Sequence, residues 1–189
     1  MTGAALWFTG LPGSGKSAVA RAVRDALEAR GLPVTWLSLD AWRKTSFPHP
    51  AYTAAERDQA YALFTAEAAR IAASGRLVLM DASAPKRAMR DIARATMPRF
   101  AEVYVRCSLE TAMAREAARP EGLVMAGLYA KALERRATGR EFPGLGQVIG
   151  VDVPFEENPQ AECVVDAEHL TIEQGRDAVL AFLDGWLEG

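Results

Sequence analysis

The stretch Gly10-Leu11-Pro12-Gly13-Ser14-Gly15-Lys16-Ser17 follows directly on the apolar run Ala4–Thr9 and leads into a helical pattern. It satisfies GxxxxGK[ST] in full, between a strand and a helix, which is the setting the pattern requires. Its glycines let the backbone turn and bring N–H groups to phosphate oxygens. The helix that starts near Gly15 aims its partial positive charge at the same anion. In this chemistry Lys16 reaches the β- and γ-phosphates and Ser17 ligates Mg²⁺. Residues Gly10, Leu11, Pro12, Gly13, Ser14, Gly15, Lys16, Ser17 and Ala18 are therefore expected to hold a nucleoside triphosphate, ATP first among them.

The rest of the chain is patterned to support such a loop. Short apolar runs at Ala4–Thr9, Val34–Asp40, Leu77–Asp81, Ala101–Cys107 and Glu162–Asp166 read as strands of a parallel sheet covered on both faces. Helical patterns lie between and after them, over Lys16–Arg30, Ala54–Ser74, Lys86–Met97, Leu109–Ala118, Leu123–Thr138 and Thr171–Leu187. Gly31 and Gly75 sit where helix C-caps belong. This alternation predicts a doubly wound α/β fold of the P-loop NTPase kind, with helices on both faces. A length of 189 residues suits a single domain, residues 1–189. The stretch Gly139–Gln160 is rich in Gly and Pro and long for a plain connection, so it is read as a functional loop. A lid is expected over roughly 119–155, where basic residues mix with Gly and Pro and where two substrates must enter.

Composition narrows the partners. A net charge of −2 gives no global field for nucleic acid or a membrane surface, and no apolar run reaches the length of a membrane span. The start MTGAALWFTG has neither a basic head nor a cleavage site, which together with unpaired cysteines predicts a cytoplasmic protein. Cys107 and Cys163 match no metal spacing and read as buried free thiols.

The acceptor of the phosphoryl group is expected beyond the C-terminal ends of the strands. Asp40, at the end of the second run, is placed to face the γ-phosphate, as a base for an attacking hydroxyl or as a partner of Mg²⁺; a helix N-cap is the plainer role. Asp81, at the end of the third, reads either as a Walker-B-type carboxylate near the metal or as a strand-end turn residue.

Several further motifs, in order, resemble the adenylylsulfate kinase family. FTGLPGSGKS matches that family's FTGLSGSGKS, and Asp40-Ala41-Trp42-Arg43 keeps the Asp and Arg of its D-N-x-R. Tyr52 and Arg57 stand for the aromatic and the Arg of G-F-S-x-x-D-R, and Pro85, Arg87 and Arg90 for those of S-P-Y-R-x-x-R. Gly127-Leu128-Tyr129-Ala130-Lys131-Ala132 matches G-L-Y-x-K-A, and Gly150-Val151-Asp152-Val153-Pro154-Phe155-Glu156 matches G-I-D-x-P-Y-E. The similarity runs from about Leu6 to Asp166. It implies a five-stranded sheet of order 2-3-1-4-5, and transfer of the ATP γ-phosphate to the 3′-hydroxyl of adenosine 5′-phosphosulfate. It further implies Asp40 as the base, with Lys16 beside it in catalysis, and Ser17, Asp40 and Asp81 around Mg²⁺. Arg43 and Arg57 would grip the acceptor's anionic group, a task suited to guanidinium forks. Tyr52 would stack on the acceptor base. Arg87 and Lys131 would belong to a mobile arm over the phosphates and acceptor, Val148 would line the acceptor pocket, and Arg115 would pack near the adenine of ATP. A homodimer is implied as well.

The departures from the family pattern are expected at the acceptor pocket: Ala41, Ala60, Ala84, Lys86 and Val148, the last in place of an aromatic. Loss of one stacked aromatic is worth about 1–3 kcal/mol of base binding. The alternatives are therefore the same chemistry on another nucleotide conjugate, such as a cytidine diphosphate derivative ending in a phosphoramidate, or a nucleotide-binding module that no longer transfers phosphate.

Overall fold

The computed structural model describes residues 3–47, 53–118 and 127–188. Five strands, β1 (Ala4–Thr9), β2 (Val34–Ser38), β3 (Leu77–Asp81), β4 (Phe100–Arg106) and β5 (Cys163–Asp166), form one sheet. Its order is β2-β3-β1-β4-β5, and every pairing is parallel. Seven helices complete the described residues: α1 (Lys16–Ala29), α2 (Leu39–Ser46), α3 (Ala54–Ala73), α4 (Arg87–Thr96), α5 (Leu109–Ala117), α6 (Leu128–Thr138) and α7 (Ile172–Glu188).

The pleat of β1 divides the core. Leu6 and Phe8 point to one face, against Val19, Val23 and Leu27 of α1 and Val179 and Leu183 of α7. Ala5 and Trp7 point to the other, against Phe64 and Ala68 of α3 and Met89 and Ala93 of α4. Each large apolar side chain so covered contributes about 1.5–3 kcal/mol. Trp7 stacks on Tyr61 at 6.1 Å between ring centroids, and its indole N–H donates to the carbonyl of Ala82 at 3.2 Å. That bond ties the centre of the sheet to the turn at the tip of β3. A third cluster joins Cys107, Ala112 of α5, Leu128, Tyr129 and Ala132 of α6 and Val148, with Leu11 of the glycine-rich loop packed on it. It fixes α6 and the segment around Val148 beside that loop.

Two boundaries differ from the sequence reading by more than one residue. The second strand stops at Ser38, and Asp40 lies in the first turn of α2, a helix of 8 residues too short for its periodicity to stand out. The helix read over 123–138 begins at Leu128 after Gly127 at φ 72°; residues 123–126 lie outside the described part. Gly31 and Gly75 follow α1 and α3 with φ of 75° and 87°, as expected of helix ends. Both cysteines are buried and free. Among the described residues, no helix is long and apolar enough to cross a membrane.

Candidate active site

The loop from Gly10 to Gly15 joins β1 to α1 at the C-terminal edge of the sheet. It is held from outside: Tyr129 Oη donates to the carbonyl of Pro12 at 2.8 Å, and Arg115 Nη1 reaches the carbonyl of Ser14 at 3.5 Å. Gly13, at φ 88°, lies so close to α5 that a Cβ would stand 2.2 Å from the carbonyl oxygen of Ala112. Lys16 Nζ folds back to the carbonyl of Leu11 at 3.5 Å. Ala18 donates its N–H to Gly15 at 3.0 Å, in the first turn of α1.

A cleft of about 170 Å³ opens beside this loop. Lys16, Ser17, Asp81, Asp40, Arg43, Arg57, Leu128 and Val148 are among the residues that line it. Ser17 Oγ donates to Asp81 Oδ1 at 3.0 Å. Asp81 is only 6% exposed, and burial raises its pKa, an effect that the nearby Lys16 ammonium and the Ser17 bond partly offset. A hydroxyl and a carboxylate at this distance, both hard oxygen donors, fit Mg²⁺, which takes one or two protein oxygens together with phosphate oxygens. Asp40 is exposed at the start of α2, where the helix dipole favours a carboxylate.

Arg43 pairs with Glu56 of α3 at 2.6 Å. Arg57 donates through Nη2 to the carbonyl of Gln147, crossing from α3 to the loop that carries Val148. Burial lowers the pKa of Arg57, and the charge of Arg43 lowers it further, although Tyr61, Asp58 and Asp152 act the other way. Two guanidinium groups and an ammonium facing one cleft suit an anionic ligand. The loop itself is pinned by Asp152, whose Oδ2 accepts from the Val148 N–H at 2.6 Å and from Arg135 Nη2 at 2.7 Å.

Of the residues singled out from sequence, Lys16, Ser17, Asp40, Arg43, Arg57, Asp81 and Val148 therefore meet in one cleft. Arg115 stands behind the glycine-rich loop and donates to the carbonyl of Ala167 at 2.7 Å, bridging that loop to the end of β5. Arg87 and Lys131 are exposed and are not among the cleft's lining residues. Tyr52 lies outside the described residues, as do residues 119–126 of the expected lid.

The departures from the family pattern lie at several places around the cleft. Only Val148 among them lines the cleft. Ala41 is exposed on α2, Ala60 is buried within α3, and Lys86 pairs with Asp58 at 2.7 Å. Ala84 is buried at φ 48°. Conversely, sequence reasoning passed over Tyr61, which lines the cleft and whose Oη accepts from the Ala84 N–H at 3.0 Å. Burial pushes its pKa up to about 12. The available signal was spacing: Tyr61 stands one helical turn after Arg57 and shares its face.

The adenylylsulphate kinase family model matches residues 2–166. A probable adenylyl-sulfate kinase of Archaeoglobus fulgidus is 32% identical over 163 residues, 86% of this chain and 95% of that one. An adenylyl-sulfate kinase of Geotalea uraniireducens is 31% identical over 181 residues, 95% of this chain and 79% of the relative. Among solved structures, the Mycobacterium tuberculosis APS kinase in complex with AMPPNP and APS superimposes with a TM-score of 0.80 at 27% identity, covering 97% of this chain and 98% of the other.

Proposed function

Because the chain belongs to the adenylylsulphate kinase family, we propose that it transfers the γ-phosphoryl group of ATP to the 3′-hydroxyl of adenosine 5′-phosphosulfate. The observation that carries the reading is the cleft itself. It gathers a phosphate-loop lysine, the Ser17–Asp81 pair, Asp40, Arg43 and Arg57 around a single space.

The roles follow from that arrangement. The glycine-rich loop and the start of α1 hold the triphosphate, and Lys16 leaves the Leu11 carbonyl to neutralise the transferring group. Ser17 and Asp81 would hold Mg²⁺, which would offset the charge of the phosphate groups. Asp40, exposed at the start of α2 and lining the same cleft, accepts the proton of the attacking hydroxyl. Arg43 and Arg57 fix the acceptor's sulfate or phosphate; each already holds an oxygen partner, Glu56 and Gln147, which an anion would replace or share. Positioning of this kind supplies most of the catalysis in phosphoryl transfer. A cytoplasmic homodimer completes the proposal, with light scattering as the check on its assembly.

One observation favours a second acceptor. Val148 offers an aliphatic wall in the cleft where the family pattern has an aromatic, which weakens stacking of adenine. The alternative is the same chemistry on another nucleotide conjugate. ADP release measured with adenylylsulfate and with a panel of nucleotide conjugates separates the two. Turnover highest with adenylylsulfate supports the first reading, and turnover with another conjugate alone replaces it. Asp40→Asn is expected to lower kcat by at least about 10²-fold. An unchanged kcat removes Asp40 as the base, and no turnover with any acceptor leaves a nucleotide-binding module.

A further inference from the structure

Glu102 is fully buried in β4, and its carboxylate gathers donors from three distant parts of the chain. Its Oε1 accepts from Thr9 Oγ1 at 2.8 Å and from Arg90 Nη1 at 2.8 Å, and its Oε2 accepts from Asn158 Nδ2 at 2.7 Å. Thr9, Arg90 and Asn158 are themselves buried. Thr9 is the last residue of β1 and directly precedes the phosphate loop. Asn158 lies at the far root of the loop that carries Gln147 and Val148 into the cleft.

That root is fastened several times over. Arg90 also donates to the carbonyl of Glu156 and lies 5.2 Å from the ring centroid of Phe155, which stacks on Tyr104 of β4 at 5.5 Å. The Glu156 carboxylate accepts from the Arg87 N–H at 2.7 Å at the start of α4, and its backbone N–H donates to Pro85 at 2.8 Å. None of Thr9, Arg90, Glu102 and Asn158 lines the cleft, so the group is not part of the substrate surface. A buried ion pair adds little net stability, because desolvation offsets its attraction. What a hydrogen-bonded buried network does supply is one fixed geometry; here the carboxylate of Glu102 is satisfied on both oxygens, while Arg90 Nε lacks a partner among the described residues.

We propose that Glu102 is a positioning residue: through Thr9 and Asn158 its carboxylate ties the root of the phosphate loop to the root of the acceptor loop, and so sets the placement of one substrate against the other. The inference rests on the reading above only in assigning the two substrates to those two loops.

The test uses the whole chain with Thr9→Val, which keeps the shape and removes the hydroxyl, Thr9→Ser, which keeps the hydroxyl, Asn158→Ala, and the pair Thr9→Val with Asn158→Ala. AMPPNP binding is measured by calorimetry at a temperature where each variant is folded. Asn158→Ala is expected to weaken AMPPNP binding about 3-fold to 10-fold although it sits at the other loop. Thr9→Val is expected to do the same and to raise the KM for adenylylsulfate by a similar factor, Thr9→Ser to keep the original affinity, and the double variant to lose little more than the worse single change. Lowered melting temperatures with unchanged AMPPNP affinity and unchanged KM would show a purely structural network and overturn the proposal, as would strictly additive losses. Should Asn158→Ala not fold, Thr9→Val against Thr9→Ser decides by the same readouts. AMPPNP binding needs neither acceptor nor turnover, so its failure is separate from a failure of the acceptor assignment.

Discussion

Gly13 offers the sharpest quantitative test of the phosphate-loop geometry. Replacement by Ala puts a methyl group 2.2 Å from the carbonyl oxygen of Ala112, more than 1 Å inside the 3.4 Å at which ordinary contact begins. That oxygen cannot yield cheaply, because Ala112 is buried in the cluster that joins α5 to α6. Gly15 is the matched control: its φ is 94° against 88° for Gly13, but a Cβ there meets nothing within 4 Å. The left-handed conformation costs an L residue about 1–2 kcal/mol, and a stiffer unfolded chain returns about 0.4–1 kcal/mol. Gly15→Ala should therefore destabilise by about 1 kcal/mol. Gly13→Ala carries a further overpacking cost of about 1–3 kcal/mol. For a chain of this length each kcal/mol moves the melting temperature by about 2–4 °C. Calorimetric melting without nucleotide is thus expected to fall by about 2–4 °C for Gly15→Ala and by about 4–16 °C for Gly13→Ala. A loop displaced by about 1 Å should also cut kcat/KM by about 10²-fold. Equal melting losses for the two variants, or a Gly13→Ala enzyme with unaltered kcat/KM, would refute the close packing of the loop on α5.

Two further outcomes follow from the strand tips. Burial raises the pKa of Asp81, so its ionised form costs the ligand-free fold stability at neutral pH, and that cost fades as pH falls through the raised pKa toward the ordinary carboxylate value. Asp81→Asn, which can still accept from Ser17, is accordingly expected to melt higher than the parent at pH 7, to lose this advantage on acidification, and to lose Mg²⁺-dependent turnover; a lower melting temperature at pH 7 would contradict it. Ala84 holds φ 48° without being glycine, so Ala84→Gly should relieve about 1–2 kcal/mol of backbone strain against about 0.5–1 kcal/mol of added chain entropy. Chemical denaturation should show a small net stabilisation, and a clear loss would show that the Ala84 methyl group packs usefully.

Much of the fold was legible because local chemistry and global fold agree along this chain. Runs such as Leu77–Asp81 are too short and too uniformly apolar for anything but a covered strand, and the glycine-rich loop admits few neighbours other than a strand and a helix. The order β2-β3-β1-β4-β5 came from the family likeness, since parallel pairing leaves no mark in the period of a strand. Helix α2 escaped because two turns give no periodicity to count. In the cleft, Lys16, Ser17 and Asp81 were legible from motif and strand end. Tyr61 was marked only by its spacing from Arg57, since an aromatic on a helix does not itself say whether it faces a core or a cleft; here it does both, stacking on Trp7 while lining the cleft.

The sequence by itself determined that a loop built for phosphate follows the first strand, because glycine, lysine and serine at that spacing are a local, self-contained piece of chemistry. Tertiary structure alone decided which charges line the cleft beside that loop, and that Glu102 joins Thr9 to Asn158. Those contacts link residues far apart in the chain, and only parallel packing of β1 against β4, with the last loop folded back over both, brings them within hydrogen-bonding distance.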